Sequence, residues 1–117
     1  MEGPGFFALH TAFQTQYEEL FTAIDEIAER IRALDAFAIG GLATLAQAAQ
    51  MKEFASPLAQ EDYVRALVAC HEKLVADAAH ARDLAGQAND AESQDLMIGR
   101  ISLHQKTIWM LRSFLKG

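Results

Sequence analysis

Phe6–Leu34 reads FFALHTAFQTQYEELFTAIDEIAERIRAL, and its periodicity decides the fold class. Apolar residues recur at Leu9, Phe13, Tyr17, Leu20, Ile24, Ile27, Ile31 and Leu34, in steps of three and four. That stripe predicts a long amphipathic helix packed in a bundle. At about 100° per residue, a second set falls on a flanking face: His10, Gln14, Asp25 and Glu29. Phe7, Phe21 and Ala28 share that face, so it is not a plainly solvated one. A core stripe with a mixed apolar and ligand-type flank predicts that a second subunit meets the helix there.

His10 and Asp25 are separated by about 22 Å along such a helix, too far to share a metal within one chain. An antiparallel partner helix crossing near Glu19 and Leu20 brings His10 of one chain beside Asp25 and Glu29 of the other. A two-fold axis does this automatically and makes the site twice. Asp25 and Glu29, at i and i+4, can aim two carboxylates at one cation. Solvated helix charges beside a surface histidine would give the same spacing.

The remaining chain also reads as helix. Gly3 and Pro4 make an opening turn, and Gly40-Gly41 are expected to stop the long helix near Asp35. Leu42–Gln50 predicts a short connector helix, followed by a loop. Ser56-Pro57 reads as the start of a third helix to about Ala85, with Tyr63, Leu67, Cys70, Leu74, Ala78 and Ala81 turned inward. Gly86 is expected to end it. Asn89 with Glu92 resembles a capping box opening a last helix to Leu115, whose stripe is Met97, Ile101, His104, Ile108, Leu111 and Leu115. No β-branched run alternates with polar residues, so no strand is expected.

Composition narrows the class further. With 117 residues there is room for one domain, and 51% hydrophobic content with 2 prolines fits an ordered helical protein. A net charge of −6 argues against a general affinity for nucleic acid. The single Cys70 excludes an internal disulfide framework and fits a reducing compartment. No apolar run spans a membrane, so a cytoplasmic location is expected. His71 has no second ligand one turn on, and both it and His80 read as surface or capped histidines; His104 reads as a hydrogen-bonded core histidine. A histidine phosphotransfer domain would carry H-x-x-K-G, which neither His71 nor His104 offers. The Glu-x-x-His pairs of larger di-iron bundles are missing as well.

Several motifs together resemble the second helix of the Dps-type miniferritins of the ferritin-like family. They are Gly3-Pro4, the aromatic pair Phe6-Phe7, L-H-x-x-F-x-x-x-Y-x-x-L over Leu9–Leu20, and D-E-I-A-E-R-I over Asp25–Ile31. LHQKTIWMLRSFL, Leu103–Leu115, is similar to that family's last helix. The resemblance covers essentially the whole chain. It implies an all-α, ferritin-like four-helix bundle in which three of the four long helices and a short connector are present. It implies iron bound across a dimer interface by His10, Asp25 and Glu29, and two-fold dimers assembled into a dodecameric shell. It implies a ferroxidase that oxidises Fe(II) with peroxide or oxygen, stores iron and serves the oxidative-stress response. Asp90 and Asp95 take the place of acids lining threefold pores, with Gly99 where a further acid often lies.

Three departures qualify the resemblance. Gln14 stands where the family usually has an acid four residues after the histidine. A first helix ending in a motif like H-N-x-H-W-N-V is expected before the Gly-Pro, where only Met1 and Glu2 stand, so the domain over 1–117 is read as N-terminally truncated. The lysine-rich tails of DNA-binding members are lacking too, and little or no DNA binding is expected. A degenerate relative with a structural role and no ferroxidase activity is the competing reading.

Overall fold

The structure is a computed structural model describing residues 1–117. It is all-α, with α1 over Phe6–Ala33, α2 over Leu42–Ala49, α3 over Gln60–Gln87 and α4 over Ala91–Leu115, and it contains no strand. Contacts gather into two compact units, Met1–Ala55 and Ser56–Gly117.

In the first unit, α1 runs unbroken for 28 residues. Leu9 and Ala23 are its buried residues. Tyr17, Ile24 and Leu34, expected in the core stripe, are instead 62%, 66% and 51% exposed. The buried stripe is therefore narrower than the apolar pattern, and the surplus apolar residues widen the flanking face. The helix ends well before the glycines expected to stop it. Asp35 takes a left-handed conformation with φ 65°. Its N–H donates to the Arg32 carbonyl at 3.0 Å, and the Ala36 N–H donates to the Ile31 carbonyl at 3.2 Å. This is a Schellman stop, which satisfies carbonyls the helix would leave open. Arg32 reinforces it through a hydrogen bond to the Ala36 carbonyl at 2.9 Å and a cation–π contact with Phe37 at 4.5 Å. Gly41, with φ 88°, serves instead as the N-cap residue of α2, in a backbone region that side-chain-bearing residues rarely enter.

The second unit is a helical hairpin. α3 and α4 pack over most of their length, with Val64, Val68, His71 and Ala78 buried on one helix and Arg100, Ile101, His104, Ile108 and Leu111 on the other. The expected α4 stripe agrees at Ile101, His104, Ile108 and Leu111. On α3 the expected residues Tyr63, Leu67, Cys70, Leu74 and Ala81 are half-buried, and the deepest row lies about 90° round the helix. That row passes through His71, a polar residue that a purely apolar reading of the stripe skips. Half-burial pushes the Cys70 thiol above the usual range, so it behaves as a protonated packing group.

The turn between α3 and α4 does two jobs in three residues. Gly86 lies inside α3, and it is Asn89, with φ 57°, that makes the stop. The Asn89 N–H donates to the Gly86 carbonyl at 3.2 Å and the Asp90 N–H to the Ala85 carbonyl at 2.9 Å. Asp90 then caps α4, its carboxylate accepting from the Ser93 N–H at 3.1 Å. Ser56 caps nothing: α3 starts later, after Ala59, and the Ser56 hydroxyl lies 3.4 Å from the Tyr63 hydroxyl across a cis Ser56–Pro57 peptide.

Candidate functional site

The face of α1 flanking its buried stripe carries the candidate residues. His10, Gln14, Asp25 and Glu29 are all exposed. At about 100° per residue they share one broad face with Phe7, Tyr17, Phe21 and Ile24. Phe7 and Phe21 are 84% and 77% exposed. Four large apolar side chains on one exposed helix face are more than the scattered singles an ordinary surface carries.

Local contacts orient two of the polar residues. Side chains on a helix lean toward its N-terminus, so the His10 ring reaches back over Phe6 one turn earlier. The two rings stack, with centroids 5.3 Å apart and planes 18° from parallel. Phe7 meets Phe6 edge-on at 5.6 Å. Gln14 turns the other way, its Nε2 donating to Glu18 Oε1 at 3.0 Å. Asp25 and Glu29 are one turn apart on the same face, so one cation can reach both.

One chain does not complete a metal site. No group of three or more His, Cys, Asp and Glu side chains comes together. α1 is continuous, so His10 stays about 22 Å along the axis from Asp25. Of the other expected residues, Asp90 is occupied as the α4 cap, while Asp95 and Gly99 are exposed on α4.

His71 and His104 are the largest surprise. Both are 3% exposed, so the expected surface position of His71 is corrected to a core one. Their Nδ1 atoms lie 2.9 Å apart, and His104 Nε2 is 2.9 Å from Nη2 of the buried Arg100. A guanidinium only donates, so His104 Nε2 accepts. A neutral His104 then carries its proton on Nδ1 and donates it to His71 Nδ1, leaving the proton of a neutral His71 on Nε2. Direction therefore runs from Arg100 to His104 to His71, and a second proton on either ring would set two donors face to face. No buried side-chain nitrogen or oxygen lacks a partner. The sequence signal was available: His71 continues the spacing of Val64 and Val68, and Arg100 precedes His104 by one turn.

A shallow groove of about 480 Å³ lies between α3 and α4, with Val75, Ile108 and Trp109 as its apolar lining and the Glu72–Arg112 ion pair beside them. None of the expected site residues lines it.

Comparison with known proteins adds four findings. The ferritin-like domain model matches residues 1–117. A low temperature-induced protein of Nostoc sp. is 36% identical over 98% of the chain, which spans 65% of that protein's length. The crystal structure of Dps from Staphylococcus aureus superposes with a TM-score of 0.94 at 33% identity, covering 97% of this chain and 76% of that one. Dps from Vibrio cholerae, described as a member of a broad superfamily of ferritin-like diiron-carboxylate proteins, gives 0.93 at 32% identity, covering 98% and 72%.

Proposed function

This chain belongs to the ferritin-like domain family, and from that premise we propose that it is an iron-binding miniferritin subunit that oxidises and stores Fe(II). The observation that carries the proposal is the α1 face, where one imidazole and two carboxylates stand exposed among four exposed apolar side chains. Such a face is suited to a second copy. The midpoint between His10 and Glu29 lies between Glu19 and Leu20, so two antiparallel α1 helices crossing there bring His10 of each chain to Asp25 and Glu29 of the other. The apolar residues supply the burial that holds the pair, and the two-fold supplies two sites. Similarity to Dps structures supports further assembly of these dimers into a dodecameric shell.

Fe(II) is the substrate. The imidazole suits the softer Fe(II), and the carboxylates suit the harder Fe(III) product. Each Fe(II) gives up one electron, and hydrogen peroxide or oxygen accepts it, with protons, to leave water. Removing peroxide and free Fe(II) together would protect a cell from oxidative damage. Asp95, with Asp90 at the head of α4, is the proposed lining of the iron entry pore. Because carboxylates and imidazole must shed protons to ligate, binding weakens on acidification. The cytoplasm is the proposed location; no helix is long and apolar enough to cross a membrane. With a net charge of −6, little affinity for DNA is proposed.

A second reading has its own observation. Gln14 sits one turn from His10, is neutral, and is held by Glu18 at 3.0 Å. The site then has three charged or imidazole ligands and no fourth, as suits a structural relative that has lost oxidation. The experiment separating the two is peroxide-driven Fe(II) oxidation followed by absorbance. The catalytic reading expects slow oxidation above the buffer background, raised by Gln14→Asp. Rates at background for both chains would favour the structural reading.

A further inference from the structure

We propose that Phe6 is a positioning residue for His10, holding its imidazole plane ready for a divalent cation; this rests on the reading of His10 as a ligand. Four observations carry it. The rings are stacked at 5.3 Å with planes 18° from parallel. Phe6 is itself braced edge-on by Phe7. His10 is otherwise exposed near the start of α1, where an unbraced imidazole would sample several rotamers. Finally, the i, i+4 relation is fixed by the helix itself, so the stack survives whatever covers the face.

The geometry states what Phe6 controls and what it does not. Stacking covers one π-face of the imidazole and leaves the ring edge, where both nitrogens lie, open. A half-turn about Cβ–Cγ swaps Nδ1 with Cδ2 and Nε2 with Cε1 but keeps the stack. Phe6 therefore sets the plane in which a ligand lone pair points, not which nitrogen ligates. A bound cation draws electron density from the imidazole, and the electron-rich Phe6 face favours that polarised ring. Rotamer freedom lost on metal binding is largely lost already in the unbound protein, which is how preorganisation raises affinity.

The test is Co(II) titration of the full chain by absorbance, with helix content followed by circular dichroism. Phe6→Leu keeps apolar bulk and removes the stack, and should weaken Co(II) binding about 3- to 10-fold. Phe6→Tyr keeps the ring and should bind within about two-fold of the unaltered chain. A chain carrying both Phe6→Leu and His10→Ala should bind no worse than His10→Ala alone, since Phe6 acts only through His10. Equal affinity for Phe6→Leu and the unaltered chain overturns the positioning role. So does a double substitution weaker than His10→Ala, which would mark Phe6 as merely structural. If His10→Ala itself leaves affinity unchanged, it is the ligand assignment of His10 that fails.

Discussion

Asp25→Ala or Glu29→Ala should reduce Fe(II) oxidation to the buffer background and weaken divalent-cation binding by at least about ten-fold, since even outer partners of a metal site are worth 10- to 100-fold. Each carboxylate is one of only three ligands proposed for the site, so no remaining group can compensate. The change should leave the fold intact. Both residues are exposed on α1, where substitution costs within about 0.5 kcal/mol and alanine favours helix. Unchanged helix content with lost binding is thus the expected pair of results, read by circular dichroism and by titration. If both variants bind and oxidise like the unaltered chain, Asp25 and Glu29 are solvated helix charges and nothing more.

His104→Ala should be the most destabilising single substitution in the α3–α4 hairpin, at about 3 kcal/mol in urea unfolding. The imidazole accepts from Arg100 and donates to His71, and both of those side chains are buried. Alanine removes both bonds, opens a cavity the size of a ring, and leaves a guanidinium without that acceptor where water cannot easily substitute. With total stabilities of about 5–15 kcal/mol, such a loss is a large fraction of the whole. His80 is the internal control. It lies on the same hairpin but is exposed, so His80→Ala should change stability by less than about 0.5 kcal/mol. A His71/His104 double-substitution cycle should show coupling of about 1–3 kcal/mol. Equal midpoints for His104→Ala and His80→Ala would mean that the buried network contributes nothing to the hairpin.

Much of the fold was legible because α1 and α4 place aliphatic and aromatic residues at unambiguous helical spacing. The candidate face was legible for the same reason: His10, Gln14, Asp25 and Glu29 keep their angular relation to the stripe whatever the helix packs on. What was not legible has identifiable causes. The α3 row was misplaced by about one residue because one of its buried positions, His71, is a histidine, and polarity alone does not show that a histidine is satisfied inside a core. The helix ends fall within a residue or two of the expected places, but the residues that make the stops are not the glycines expected to act. Asp35 and Asn89 take the left-handed stops that glycine usually fills, an option short polar side chains retain. Tyr17 and Ile24 were counted as core because an exposed apolar stripe and a core stripe have the same periodicity.

The central claim is that each iron site is shared between two chains, and mixing two inactive variants tests it most directly. One variant carries His10→Ala and the other carries both Asp25→Ala and Glu29→Ala. Alone, neither homodimer has a complete site. When the two are unfolded together, refolded and assembled, a mixed dimer has one site that draws His10 from the second variant and both carboxylates from the first. Random pairing makes half the dimers mixed, each with one intact site of two, so about a quarter of the unaltered chain's cation sites should return. Recovery of Co(II) binding near that fraction is the predicted result. No recovery above the separate variants, in a sample shown by mass spectrometry to contain mixed dimers, would contradict the shared site.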